Sequence, residues 1–97
     1  MEINSEELEV IHNESQNRFE IWVDGILSEL DYQMRGRTII FYHTGVSEPL
    51  EGQGIAGRLT QVGLDYAEGK SLKVVPACPY VYAYIRRHPH YKKLVEE

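Results

Sequence analysis

Thr38, Ile39, Ile40, Phe41, Tyr42, His43; then, past the loop 44–51, Gly52, Gln53, Gly54, Ile55, Ala56, Gly57; then Leu72 to Val75 and Pro76, Ala77, Cys78, Pro79: these stretches decide the fold. The first run is β-branched and aromatic and predicts a buried strand. Behind the glycines, Ile55, Leu59, Val62 and Tyr66 recur at steps of four, three and four, which places them on one face of a helix. Gly69 and Lys70 stop that helix, and Leu72 to Val75 supplies a second strand. Strand, crossover helix and strand in this order predict parallel neighbours joined in the right-handed sense, both ending at the rim where the helix begins. His43 and Cys78 finish at that rim.

Residues without a Cβ let backbone N–H groups at a helix start approach an anion closely, where the helix dipole favours negative charge. The glycine stretch therefore reads either as a phosphate or pyrophosphate cradle or as a tight turn alone. It is not a P-loop, since no Lys followed by Ser or Thr comes after Gly54, and its spacing is not that of a dinucleotide fingerprint. Pro79 suits the first position of a second helix and puts Cys78 at the N-cap. There the dipole favours a thiolate and burial opposes it; the alternative is a small buried side chain filling the turn. Histidine changes charge near neutrality, so His43 reads either as a proton acceptor or as a structural imidazole.

Gly52, Gln53, Gly54, Ile55 and Ala56, with Leu59 following, resemble the acetyl-CoA pyrophosphate loop of the GNAT (GCN5-related) N-acetyltransferase superfamily. Val75, Pro76, Ala77, Cys78, Pro79, Tyr80, Val81 and then Tyr84, Ile85, Arg86, Arg87, His88, Pro89 resemble its small single-domain branch, which carries a similar Pro-x-Cys-x-Tyr/Phe-Val stretch and a following Arg-His-Pro. The resemblance runs from about Phe19 to Leu94. It implies an N-acetyltransferase that moves acetyl from acetyl-CoA to an unidentified amine and an active-site role for Cys78. The shared rim and the near-neutral titration of histidine add the expectation of direct transfer in a ternary complex, with His43 as base and Cys78 as acid, cofactor contact or transient acetyl carrier. It also implies coenzyme A contacts from Tyr42, His43 and Thr44 at the end of the first parallel strand and from Gly52, Gln53, Gly54, Ile55, Ala56 and Gly57 at the phosphates. Tyr84 and Arg87 are expected as further cofactor contacts: a phenol among Tyr80, Tyr82 and Tyr84 could protonate the leaving thiolate, as tyrosines do in many GNAT enzymes, or simply pack, and Arg86 and Arg87 could reach a 3′-phosphate. Glu51 stands where the wider superfamily has Arg or Gln, so the phosphate contacts are expected from the backbone of Gln53 to Gly57. An acyl-CoA-binding module with little catalysis is the alternative, because so short a chain has no room for the extra helices that usually build the amine pocket.

The 97 residues, 42% hydrophobic with ten aromatics, suit one small α/β (α+β) domain spanning 1–97, with a single core and a mixed, mostly antiparallel sheet covered by two helices. A net charge of −5 argues against general nucleic-acid binding. The first fifty residues carry ten acids against three bases and the remainder five against seven, so the half with the glycine stretch is the less acidic one. No stretch approaches the roughly 20 apolar residues of a membrane span, and Met1 to Glu7 lacks the basic and apolar regions of a secretory signal. One cysteine makes no internal disulfide and suits a reducing cytoplasm. His88 and His90, with a single thiol in the chain, make no standard zinc cage, so no metal is expected.

Nearer the amino terminus, Leu8 to Asn13 predicts an edge strand with His12 at the surface. Phe19, Ile21 and Val23 alternate with Glu20, Trp22 and Asp24, and Asp24 with Gly25 signals a hairpin into Ile26 to Met34. Gly36 marks the turn into Thr38 to His43. On the second helix Val81 and Ile85 are the expected core, with Tyr80, Tyr82 and Tyr84 on a partly exposed rim. Arg86 and Arg87 also suit a helix carboxyl end.

Overall fold

The computed structural model describes residues 4–95. Five strands, β1 (Ile11–Asn13), β2 (Arg18–Val23), β3 (Ile26–Arg35), β4 (Thr38–Gly45) and β5 (Lys73–Pro76), form one sheet in sequence order. The first three pairings are antiparallel and β4 with β5 is parallel. Two α-helices, α1 (Ile55–Gly69) and α2 (Pro79–Arg87), and four 3-10 segments, Ser5–Glu7, Glu14–Gln16, Glu48–Leu50 and Pro89–Leu94, complete the described fold. This is the expected mixed sheet, and none of the described helices is long and apolar enough to cross a membrane.

Alternation sorts the side chains. Phe19 and Ile21, Leu30 and Tyr32, Ile39 and Phe41, and Val74 are buried on the face that α1 covers. Ile55, Leu59, Leu64 and Ala67 of α1 close that layer. Gly63 sets how near the helix sits: a Cβ there would lie 2.9 Å from Leu30 and 3.1 Å from the Phe41 ring. Packing side chains at crystal-like density leaves no slack for it. α2 lies beside α1, with the Tyr80 hydroxyl and the Tyr84 ring against Gly57. The segment after α2 folds back so that the Tyr91 hydroxyl donates to Asp65 at 2.6 Å.

The opposite face is open. Trp22 is 48% exposed, Gln33, Arg35 and His43 are exposed, and Arg18, Glu29, Asp31 and Ile40 are half-buried. Glu20 is its one sealed acid, held by Arg18 Nε at 2.5 Å, Asn13 Nδ2 at 2.9 Å and Trp22 Nε1 at 3.1 Å. Burial alone would raise its carboxyl, but these donors outweigh that and hold it below the ordinary value.

Three expectations are corrected. The first strand begins at Ile11, not Leu8, because Asn4 caps a 3-10 turn over Ser5–Glu7 and only Ile11 to Asn13 pair with β2. His12 is half-buried rather than on the surface. Its ladder partner is Phe19, so the ring points to the core, stacked on Phe19 at 4.2 Å with Nε2 2.6 Å from the Tyr32 hydroxyl. Burial lowers its proton affinity, against a smaller opposing effect of Glu14. Tyr84 is buried, not on a rim, because His88 stacks on its ring at 4.0 Å and the returning segment brings Tyr91 beside it.

Candidate active site

Beyond β4 the chain makes a 3-10 turn over Glu48–Leu50 and reaches α1 through Gly52, Gln53 and Gly54. Gly52 and Gly54 have φ of 78° and 81°, the left-handed region that favours glycine. Gly54 is the N-cap, offers no side-chain bond, and is followed by a first turn without acids. The Arg58 N–H makes the first helical bond, to the Gly54 carbonyl at 3.1 Å. The N–H groups of Ile55, Ala56 and Gly57 therefore have no partner within the helix, at the positive end of its dipole.

Two cavities flank this turn, and Gly54 and Gly57 line both. One, of about 380 Å³, is walled by Arg58, Gln61, Tyr84, His88 and His90. The other, of about 280 Å³, lies among Leu50, Gly52, Ile55, Ala56 and Tyr80. Arg58 Nε is buried with no hydrogen-bond partner; among the described residues Ser28 Oγ shares that condition. An unpaired buried guanidinium N–H is costly to leave so, and here it stands in the first helical turn beside the larger cavity. The guanidinium keeps one bond, from a terminal nitrogen to Gln61 Oε1 at 3.4 Å. A first helical turn without acids and a free Nε suit the diphosphate of a coenzyme A, while Glu6 and Glu51 stand in the linings of the two cavities.

At the other end of the rim, β5 pairs with β4 only as far as Phe41 and Pro76, and β4 runs on alone on that side to Gly45. Cys78 is the N-cap of α2, with Pro79 at the first helical position as expected. Its N–H donates to the Phe41 carbonyl at 2.8 Å, its Sγ is 3.3 Å from Thr44 Oγ1, and it is 5% exposed. On the β3 side the register slips between Asp31 and Tyr32, so that Tyr42 is the extra residue of a bulge.

The bulge decides which way each side chain points. Thr44 pairs with Leu30, on the face of α1 and Cys78, whereas His43 pairs with Asp31 on the open face. The His43 Nε2 lies 4.0 Å from Glu29 Oε1 and the imidazole is 54% exposed. His43 and Cys78 thus share the rim, but imidazole and thiol emerge on opposite faces of β4 and do not converge. Tyr42 is exposed, Gln53 is half-buried, and Arg87 is exposed in the last turn of α2. Tyr84 lines the larger cavity; burial first, then Tyr80 and Asp65, keep its phenol protonated above the ordinary range against the pull of Arg87. Tyr80 also lines the smaller of the two cavities, and Arg58, His88 and His90, which line the larger, had no site role in the sequence reading. A cation four residues past Gly54 was the one available signal.

A mixed sheet with one parallel pair of strands, joined by a helix that opens on glycines, is the layout of a GCN5-related acetyltransferase domain. The chain belongs to that family: the family's description is GCN5-related N-acetyl-transferase, and its match covers residues 18–94. Protein NATD1 of Gallus gallus is 28% identical over 85 residues, which are 84% of this chain and 77% of that protein. Protein NATD1 of Homo sapiens is also 28% identical over 85 residues, covering 84% and 75%. A Staphylococcus aureus protein, solved by NMR and described as GCN5-like, superposes with a TM-score of 0.73 at 27% identity over 92% of this chain and 88% of its own.

Proposed function

We propose that the protein is an N-acetyltransferase that uses acetyl-CoA and an amine acceptor. The observation that carries this reading is the acid-free start of α1 between two cavities, with the buried and unpartnered Arg58 Nε beside it. Bound acetyl-CoA supplies an activated acyl thioester. Backbone N–H groups of Ile55 to Gly57 bind its diphosphate, and Arg58 offers a charge-assisted bond. The unpaired end of β4, Tyr42 to Thr44, orients the acyl arm. His43 takes the amine proton on the open face, where an acceptor has access. Thr44 and Cys78 act from the covered face, where the hydroxyl and thiol lie 3.3 Å apart and one of them returns a proton to the departing sulfur.

Calorimetry with coenzyme A tests binding, and Arg58→Ala is expected to weaken it about tenfold, the loss of a bond to a charged group. Release of thiol in the presence of a panel of amines tests turnover; His43→Ala is expected to lower kcat by about a hundredfold or more. The separation of imidazole from thiol favours a second reading, a module that binds acyl-CoA without turnover. Tight binding with no thiol release from any amine would select it, and no binding would reject both.

A further inference from the structure

Around the bulge the open face carries Glu29 and Asp31 from β3 and His43 from β4, one titratable atom of each lying within 4.8 Å of the others. If His43 is the base, something must aim its ring, because an exposed imidazole on a strand is free to change rotamer. Two observations single out Glu29. Its Oε1 stands 4.0 Å from the imidazole Nε2. Its carboxylate also occupies the space where a side chain of Gly45, its ladder partner, would begin: a Cβ there would lie 2.8 Å from Oε2 and 3.0 Å from Oε1 and Cδ. Gly45 has no left-handed φ, so the backbone would accept a side chain at this position. What a side chain would displace is the carboxylate.

We propose that Glu29 is the positioning residue for His43. Seated over Gly45, it faces Nε2 at 4.0 Å; a small turn of either side chain closes this to a hydrogen bond, which would hold the proton on Nε2 and leave Nδ1 to take the proton of the acceptor amine. The protonated ring then faces a carboxylate. The charged groups facing it are Glu29 and Asp31, with Arg18 beyond them on β2, already bonded to Glu20. The inference rests on the reading of His43 as base, and its test separates the two.

Three variants address the contact. Glu29→Gln keeps an acceptor and removes the charge, Glu29→Ala removes both, and Gly45→Ala leaves Glu29 in the chain but pushes its carboxylate away. The readouts are the χ1 couplings and ring-nitrogen shifts of His43 by NMR, and steady-state kinetics. The wild-type ring is expected in one rotamer with Nε2 protonated. Glu29→Ala and Gly45→Ala are expected to give averaged couplings and the tautomer mixture of free imidazole. Kinetically, Glu29→Gln should lower kcat about tenfold and the other two further, with KM for acetyl-CoA unchanged, since a positioned base contributes about a hundredfold or more. A wild-type ring already averaged, couplings that Glu29→Ala leaves unaltered, or a Glu29→Ala kcat within twofold of wild type would overturn the proposal. Normal ring ordering in a protein that acetylates no amine would sustain the contact and sink the base.

Discussion

Ile21, Leu30, Ile39, Phe41 and Val74 on one face of the sheet are sealed beneath α1, while Trp22, Gln33, Arg35 and His43 on the other meet solvent. β4 belongs to both, and one bulged residue, Tyr42, is all that separates its core side chain Phe41 from its exposed imidazole. Apolar burial is concentrated on the covered face, and exposed polar side chains on the open one. The difference teaches that a sheet covered on one side can carry polar and charged side chains on the other without breaking into its packing.

The sharpest test of that division is Phe41→Ala. It deletes a fully buried ring beneath Gly63 and is expected to cost about 3–5 kcal/mol of unfolding free energy, read from urea titrations. A loss under 1 kcal/mol would mean that the covered face is not the centre of stability. Glu20→Gln is next, because Glu20 is the exception on the open face, an acid sealed by three donors. Losing its charge should cost about 1–3 kcal/mol near neutrality. Its carboxyl is held below the ordinary 4.5, so the stability it contributes is present above that pH and disappears as pH falls through the lower folded value. The variant should therefore lose less stability than wild type on acidification below pH 4.5. The smallest effect belongs to His12 on the covered face. Burial lowers its proton affinity below the ordinary 6.5, so wild-type stability should decline as pH falls below 6.5 and level off below the folded value, and His12→Gln should flatten that slope. An unchanged slope would return His12 to the surface.

Much of the covered face was legible because its signals are local. Phe19, Ile21 and Val23 alternate, Asp24 and Gly25 close the hairpin, and Pro79 starts α2 directly after Cys78. The open face depends on contacts between distant residues. No alternation rule foretells that β4 gains a residue at Tyr42, and this slip is what turns His43 away from the thiol. Tyr84 shares a helical face with Tyr80, as its spacing says, yet its burial comes from His88 and Tyr91, later in the chain. Arg58 looks like any polar helix residue until α2 and the segment after it wall the cavity that leaves its Nε without a partner.

Val95 meets Val74 in a single parallel bridge along the outer side of β5. At the opposite margin β1 spans only three residues and β5 itself only four. Such stubby borders present few free amide and carbonyl groups to a neighbouring chain. Fibrous growth by strand addition is thereby discouraged at both margins, and a chain cut before Val95 would surrender that protection on one of them.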